Sequence, residues 1–172
     1  METSKILVAR KDELAVIQIC GRGSFQNAGA VKSFYQELLQ QGVSRFVVDL
    51  NECTYLDSTF LGTLTGLGMR LKDKSAGKGK LHIVNVNARN VELLRNLGLD
   101  RLFNIDVTPR DLTQAVPVPL KEVKPEPVDK TESAEQMLEA HENLMSWDPR
   151  NVPKFKDVVT YLKEDLGLST SD

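Results

Sequence analysis

Tyr55-Leu56-Asp57-Ser58-Thr59-Phe60-Leu61-Gly62 is the stretch on which the reading of this 172-residue chain turns. Upstream lies Phe46-Val47-Val48-Asp49-Leu50, a short apolar, β-branched run between turn residues, as expected of a central strand buried on both faces. Downstream, Phe60, Leu61, Leu64, Leu67 and Leu71 follow helical spacing over residues 58–72. An Asp and two hydroxyl residues therefore sit just past the C-terminal end of a central strand, where a helix begins. Open α/β sheets form their sites at such strand ends. A helix N-terminus offers free N–H groups and a partial positive charge, both suited to a phosphoryl group. Asp, Ser and Thr are equally the preferred N-cap residues, worth about 1 kcal/mol in any protein. From chemistry alone, capping is the stronger reading.

Working outward, Ile6-Leu7-Val8-Ala9 and Leu14 to Ile19 flank a polar turn and predict a hairpin. Val31, Phe34, Tyr35, Leu38 and Leu39 predict a long helix stopped by Gly42. Beyond the 58–72 helix comes a solvated loop, Lys72 to Lys80, then a strand over Leu81 to Val86. Asn90 to Gly98 reads as a third helix, Leu102 to Ile105 as a short edge strand, and Thr108-Pro109-Arg110-Asp111 as the cap of a last helix. The order is ββαβαβαβα. Parallel strands need crossovers, so the fold class is α/β, a mainly parallel central sheet flanked by helices, with an antiparallel pair at its start.

The composition changes further on. Residues 1–115 carry 15 basic and 12 acidic side chains, residues 116–172 carry 7 and 12, and the formal net charge is -2. Four of seven prolines (Pro117, Pro119, Pro125, Pro127) fall between Val116 and Lys130, whereas ten of eleven glycines are passed by Gly98. This divides the chain into a domain at 1–116, a semi-extended linker at 117–132 and an acidic helical extension at 133–172. In the extension Ser133 is expected to cap a helix with Met137, Leu138, Leu144 and Met145 on one face. Asn151, with Pro153 in the first turn, is expected to cap a second, striped by Phe155, Val158, Val159, Leu162 and Leu166. Short helices are marginal alone, so that stripe should be buried on the domain or across a homodimer formed through the tail.

Other chemistries find little support. Cys20 and Cys53 form no CxxC, and with only His82 and His141 beside them no metal site or cofactor is expected. Gly77-Lys78-Gly79-Lys80 lacks P-loop spacing, and Gly21-Arg22-Gly23 lacks the third glycine and acidic partner of a dinucleotide fingerprint. His82 reads as a satisfied half-buried strand residue, His141 as an exposed residue of the tail helix. The basic loop has no interleaved aromatics, which argues against nucleic acid. Gly62 and Gly66, four apart on one helix, permit close approach to the sheet or a partner. No apolar run approaches the roughly 20 residues of a membrane span, and the expected location is the cytoplasm.

Taken together, the element order, the Leu56-Asp57-Ser58-Thr59-x-Leu61-Gly62 step and Leu94-x-x-Leu97-Gly98-Leu99-x-x-Leu102-Phe103 resemble the STAS family of sulphate transporters and anti-sigma factor antagonists, over about residues 4–116. The resemblance implies a regulatory bacterial signalling protein that is not an enzyme. By it, Ser58 is the phosphoacceptor for a serine kinase that is also an anti-sigma factor, with a phosphatase as counterpart. Asp57 and Thr59 are its neighbours, and Thr59 is the alternate acceptor. The partner surface would comprise this step and the loop Gly21 to Asn27, with Gly23, Ser24, Phe25, Asn27, Phe60 and Gly62 as contacts. Phe60 stands where the family often has a glycine, and Gly21 to Asn27 replaces a step that commonly carries an Asp. The alternatives are a constitutive STAS adaptor of a transporter or signalling complex, and a small-molecule sensor using the strand-end crevice.

Overall fold

A computed structural model describes residues 4–74, 81–112 and 117–168. Strands β1 (Lys5–Lys11) and β2 (Leu14–Gly23) form the expected hairpin, with Asp12 in the left-handed region at its turn. There follow α1 (Phe25–Gln40), β3 (Arg45–Asp49), β4 (Cys53–Leu56), α2 (Ser58–Lys74), β5 (Leu81–Val84), α3 (Ala88–Asn96) and β6 (Asn104–Asp106). The sheet runs β6-β5-β3-β2-β1 and then β7 (Lys121–Val123). Its neighbours are parallel from β6 to β2 and antiparallel at β2/β1 and β1/β7. The tail forms α4 (Lys130–Trp147) and α5 (Val152–Asp165), joined by a 3-10 turn at Pro149–Asn151.

Strand periodicity fixes which face is buried. Ala15, Ile17 and Ile19 of β2, with Phe46 and Val48 of β3 and Leu81 and Ile83 of β5, share one core with Tyr35 and Leu38 of α1, Leu64 and Leu67 of α2 and Leu94 of α3. Ala9 and Val16 point the other way, where Leu14, Val47 and Leu112 cover them.

Four expectations change. Helix α1 starts at Phe25, because Ser24 and Asn27 close a reciprocal capping box, so Gly21 to Asn27 is a strand end, a cap and a first turn instead of a loop. Strand β4 was not foreseen; its four residues, buried only at the two ends, show no alternation. No helix opens at Thr108 among the described residues: Asp106 accepts from the Thr108 N–H and the Arg110 guanidinium, and the Arg110 N–H donates to Asn85 Oδ1. The rest of that expected helix, at 113–116, and the Gly77 to Lys80 segment lie outside the described residues. Finally, the Pro-rich stretch contributes β7, which pairs Ile6, Leu7 and Val8 with Val123, Glu122 and Lys121. Its Lys-Glu-Val composition suits an exposed edge strand.

The tail closes on the domain. Ala134, Leu138, Val159 and Leu162 form a small core between α4 and α5, while Leu144 is fully buried in the main core with Trp147 and Phe155 packed against it. Val158 is the exception to the expected stripe, 44% exposed. The caps also differ: Asp129, not Ser133, caps α4 by accepting from the Glu132 N–H. Asn151 makes no side-chain cap; its Nδ2 instead donates to the carbonyls of Leu97 and Leu144.

The tail's joint is electrostatic as well as apolar. Asp148, 3% exposed at its side chain, pairs with Arg101 at 2.7 Å and with Arg150 at 2.7 Å. The Trp147 indole N–H donates to Gly98 O at 2.7 Å. Hydrogen bonds from the Arg150 side chain and backbone hold the Asp148 carboxyl down to about 2. A carboxyl depressed in the folded state stabilises fully above its ordinary value near about 4, and that contribution fades as pH falls toward its folded value. Thermal unfolding should therefore show wild type more stable than Asp148→Asn at neutral pH, the two curves converging between about pH 4 and pH 2. Parallel curves over that range would deny Asp148 this role.

Candidate functional site

The site is assembled where β2 changes partner. Its first half pairs with β3 through Gln18; after a register shift at Gly21, which adopts φ 78°, its end pairs with β4 through Leu56. Only the left-handed backbone available to glycine makes that shift inexpensive. It brings the start of α1 beside the start of α2.

Asp57 ties the two starts together. One carboxylate oxygen accepts from the Phe25 N–H at 2.8 Å, the other from the Phe60 N–H at 2.8 Å. The Asp57 N–H donates to Gly23 O at 2.9 Å. Capping is thus a real role of this residue, and it extends to a second helix 32 residues away in sequence. Arg22, stacked 4.5 Å over the Tyr55 ring, closes the neighbouring surface across the β2/β4 pair.

Ser58 opens α2 and is half-buried. Its Oγ lies 2.9 Å from Nε2 of His141 in α4. The other ring nitrogen, Nδ1, is 2.6 Å from Met137 O. A carbonyl only accepts, so Nδ1 carries a proton, and Nε2 is the ring atom that shares a hydrogen bond with the Ser58 hydroxyl. His141, expected to be exposed, is 6% exposed and meets the Phe155 ring edge-on at 5.2 Å. Burial of a residue so far along the chain had no local signal in the sequence.

The remaining candidates separate into surface and support. Phe25 is 46% exposed and faces outward. Ser24 and Asn27 are buried in their capping box, with the Asn27 Nδ2 donating to Arg22 O. Phe60 is wholly buried, close against Gly23, where a Cβ would stand 3.0 Å from its ring. It supports the surface from beneath instead of presenting an aromatic ring to a partner. Thr59 is 6% exposed, a poorer acceptor than Ser58 on access. Gly62 is covered by α4. Beside Ser58 opens a cavity of about 400 Å³, bordered by Asp57, Leu61, Arg89, Leu93 and Phe155. A larger cleft of about 700 Å³, at Gln18, Asp49 and Asn85, shares no lining residue with it. His82 is half-buried, with Nδ1 3.0 Å from Asn104 Nδ2. Among the described residues no cluster of His, Cys, Asp and Glu has metal-binding geometry, and no helix is long and apolar enough to cross a membrane.

The family model described as the Mlab STAS domain matches residues 6–107. The chain belongs to the STAS domain family. Among solved structures, this STAS chain is similar to the anti-sigma factor antagonist SpoIIAA in its unphosphorylated form, at 15% identity and TM-score 0.52, covering 64% of this chain and 93% of that one. A putative anti-sigma factor antagonist from Thermotoga maritima matches at 20% identity and TM-score 0.51, covering 67% of this chain and 91% of that one. At these identities the likeness shows the STAS fold. No curated protein matches the chain. The family match ends before β7, so neither that strand nor the α4–α5 tail falls within it.

Proposed function

We propose that this STAS protein is a non-enzymatic regulator that binds a partner protein around Asp57, Ser58 and the start of α1, its affinity switched by phosphorylation of Ser58. The partner is of the anti-sigma factor and serine-kinase type, with a phosphatase restoring the hydroxyl. The observation that carries this reading is the Asp57 carboxylate holding both helix starts, so that α2, opened by Ser58, begins next to the start of α1, where Phe25 is exposed. A phosphoryl group there replaces the hydroxyl hydrogen of the Ser58–His141 pair and adds about -1.5 to -2 charge. Against a partner face that is acidic or tightly packed, this weakens binding without unfolding the domain.

The test is phosphate transfer from labelled ATP in an extract of the source cells. Label should map to the Ser58 peptide and vanish in Ser58→Ala, and a chain carrying phosphoserine at 58 should lose at least about tenfold in partner affinity, equivalent to about 1.4 kcal/mol. Label on Thr59, or no label with unchanged binding, favours the second reading, a constitutive adaptor in which Asp57-Ser58-Thr59 is a cap. The half-burial of Ser58 beneath His141 is the observation on that side.

A further inference from the structure

The partner surface proposed above is already occupied within the chain. Helix α4 crosses α2 one turn beyond Ser58, so closely that a Cβ on Gly62 would lie 2.1 Å from the Ala140 carbonyl oxygen. The trough continues to either side: a Cβ on Gly29 of α1 would stand 2.9 Å from the Gln136 amide, and one on Gly66 2.9 Å from the Asn143 amide. Polar contacts follow the same line. Asn143 Nδ2 donates to Gly62 O at 3.2 Å, Glu139 pairs with Lys32, and His141 meets the Ser58 hydroxyl. Three glycines, a carbonyl, a lysine and a serine thus form one groove, and α4 fits it as a helical ligand would.

We infer that this groove is a helix-receiving site and that α4 is its ligand in cis, so that a partner engages the Ser58 surface by presenting a helix of the same chemistry and displacing α4. The inference rests on the reading that a partner binds at Ser58. The chemistry of the incoming helix is set by what α4 supplies. A small residue stands at the crossing with Gly62, an acidic residue one position before it meets Lys32, and an amide three positions after it meets the Gly62 carbonyl. A hydrogen-bonding group just after the crossing meets Ser58. Attachment through the chain gives α4 an effective concentration on the order of mM. If only about one chain in a hundred is open at any moment, the apparent affinity for a trans helix falls about a hundredfold.

The experiment uses the full chain and a fluorescent peptide of residues 129–143. Ala140→Leu places a branched side chain where α4 meets Gly62, keeps helix propensity and leaves every domain residue untouched. Amide exchange in α4 should rise, and the native peptide should bind this variant at least about tenfold more tightly than it binds wild type. The same peptide carrying Ala140→Leu should not bind. Equal binding of the native peptide to both chains, binding to neither, or unchanged exchange in the variant would overturn the inference. Should Ala140→Leu fail to fold, Glu139→Lys with Asn143→Ala, both at the margin of the crossing, releases α4 by removing the Lys32 and Gly62 contacts, and the same outcomes decide. Peptide binding without phosphate transfer to Ser58 keeps the groove and removes the switch; phosphate transfer without peptide binding does the reverse.

Discussion

Gly62→Ala is expected to destabilise the full chain by about 2 kcal/mol, against the direction that helix propensity alone dictates. In the interior of a helix, alanine is favoured over glycine by about 1 kcal/mol, because it restricts the unfolded backbone and shields the helix. Were the surface of α2 open at this point, the substitution would raise the melting temperature. Instead the new methyl meets the Ala140 carbonyl oxygen at 2.1 Å, and its nearest neighbours are all backbone or Cα atoms of α4. A carbonyl within a helix cannot swing aside as a side-chain tip can, so the whole of α4 must shift. Overpacking of this kind costs about 1 to 3 kcal/mol, and the rigid neighbour places it at the upper end. For a chain of this size each kcal/mol moves the melting temperature by about 2 to 4 °C, so differential scanning calorimetry reads the sign directly. A stabilised Gly62→Ala protein would mean that α4 does not rest on α2 in solution.

The parts of the fold that were legible in the sequence are those whose side chains form an apolar run or repeat. Phe46 to Asp49 and Leu81 to Val84 announce two strands as short apolar runs, and the Leu61, Leu64, Leu67, Leu71 series announces a helix by its period, because burial constrains their side chains. The missed elements have no period to display. Strand β4 offers four residues, two of them exposed, and β7 offers three, none of them buried, within a proline-rich stretch. What holds them is backbone pairing with β2 and β1, which leaves no mark on side-chain choice. The start of α1 was obscured because Asn27 takes the capping-box position where Glu or Gln is the usual signal.

The candidate site divides the same way. Asp57 as a cap was readable from its place before a helical series, whereas its second bond, to the Phe25 N–H, depends on β2 and β4 lying side by side. The Ser58 to His141 pair spans 83 residues, and nothing near either residue encodes the other. Glycine spacing on α2 came nearest: Gly62 and Gly66 implied that some backbone approaches closely, and only the fold says that it is the chain's own tail.

Leu144→Ala carries the largest expected cost, about 2 to 5 kcal/mol, the range found for deleting a fully buried leucine side chain and leaving a cavity behind. Leu144 is 0% exposed, and its neighbours belong to the sheet domain's core, not to the smaller cluster between α4 and α5. That placement bears on how the chain unfolds. A tail that merely rested on the domain would melt first, and damage to its apolar side chains would lower an early transition while leaving the main one in place. A tail that completes the main core ties its loss to the loss of the domain. Around Leu144 the polar links are equally shared: its carbonyl accepts from Asn151 Nδ2, which also holds Leu97 O, and Asp148 one turn further on binds Arg101. The expected result is therefore one cooperative transition, followed alike by the Trp147 fluorescence and by far-ultraviolet circular dichroism, with its midpoint lowered as a whole in Leu144→Ala. The groove around Gly62 opens within that frame: α4 lifts from α2 through Asn143 while Leu144 and the residues after it stay anchored, so amide exchange should be faster up to Asn143 than after Leu144. Two separate transitions in the wild-type chain, with Leu144→Ala moving only the lower one, would show instead that the tail docks as an independent unit.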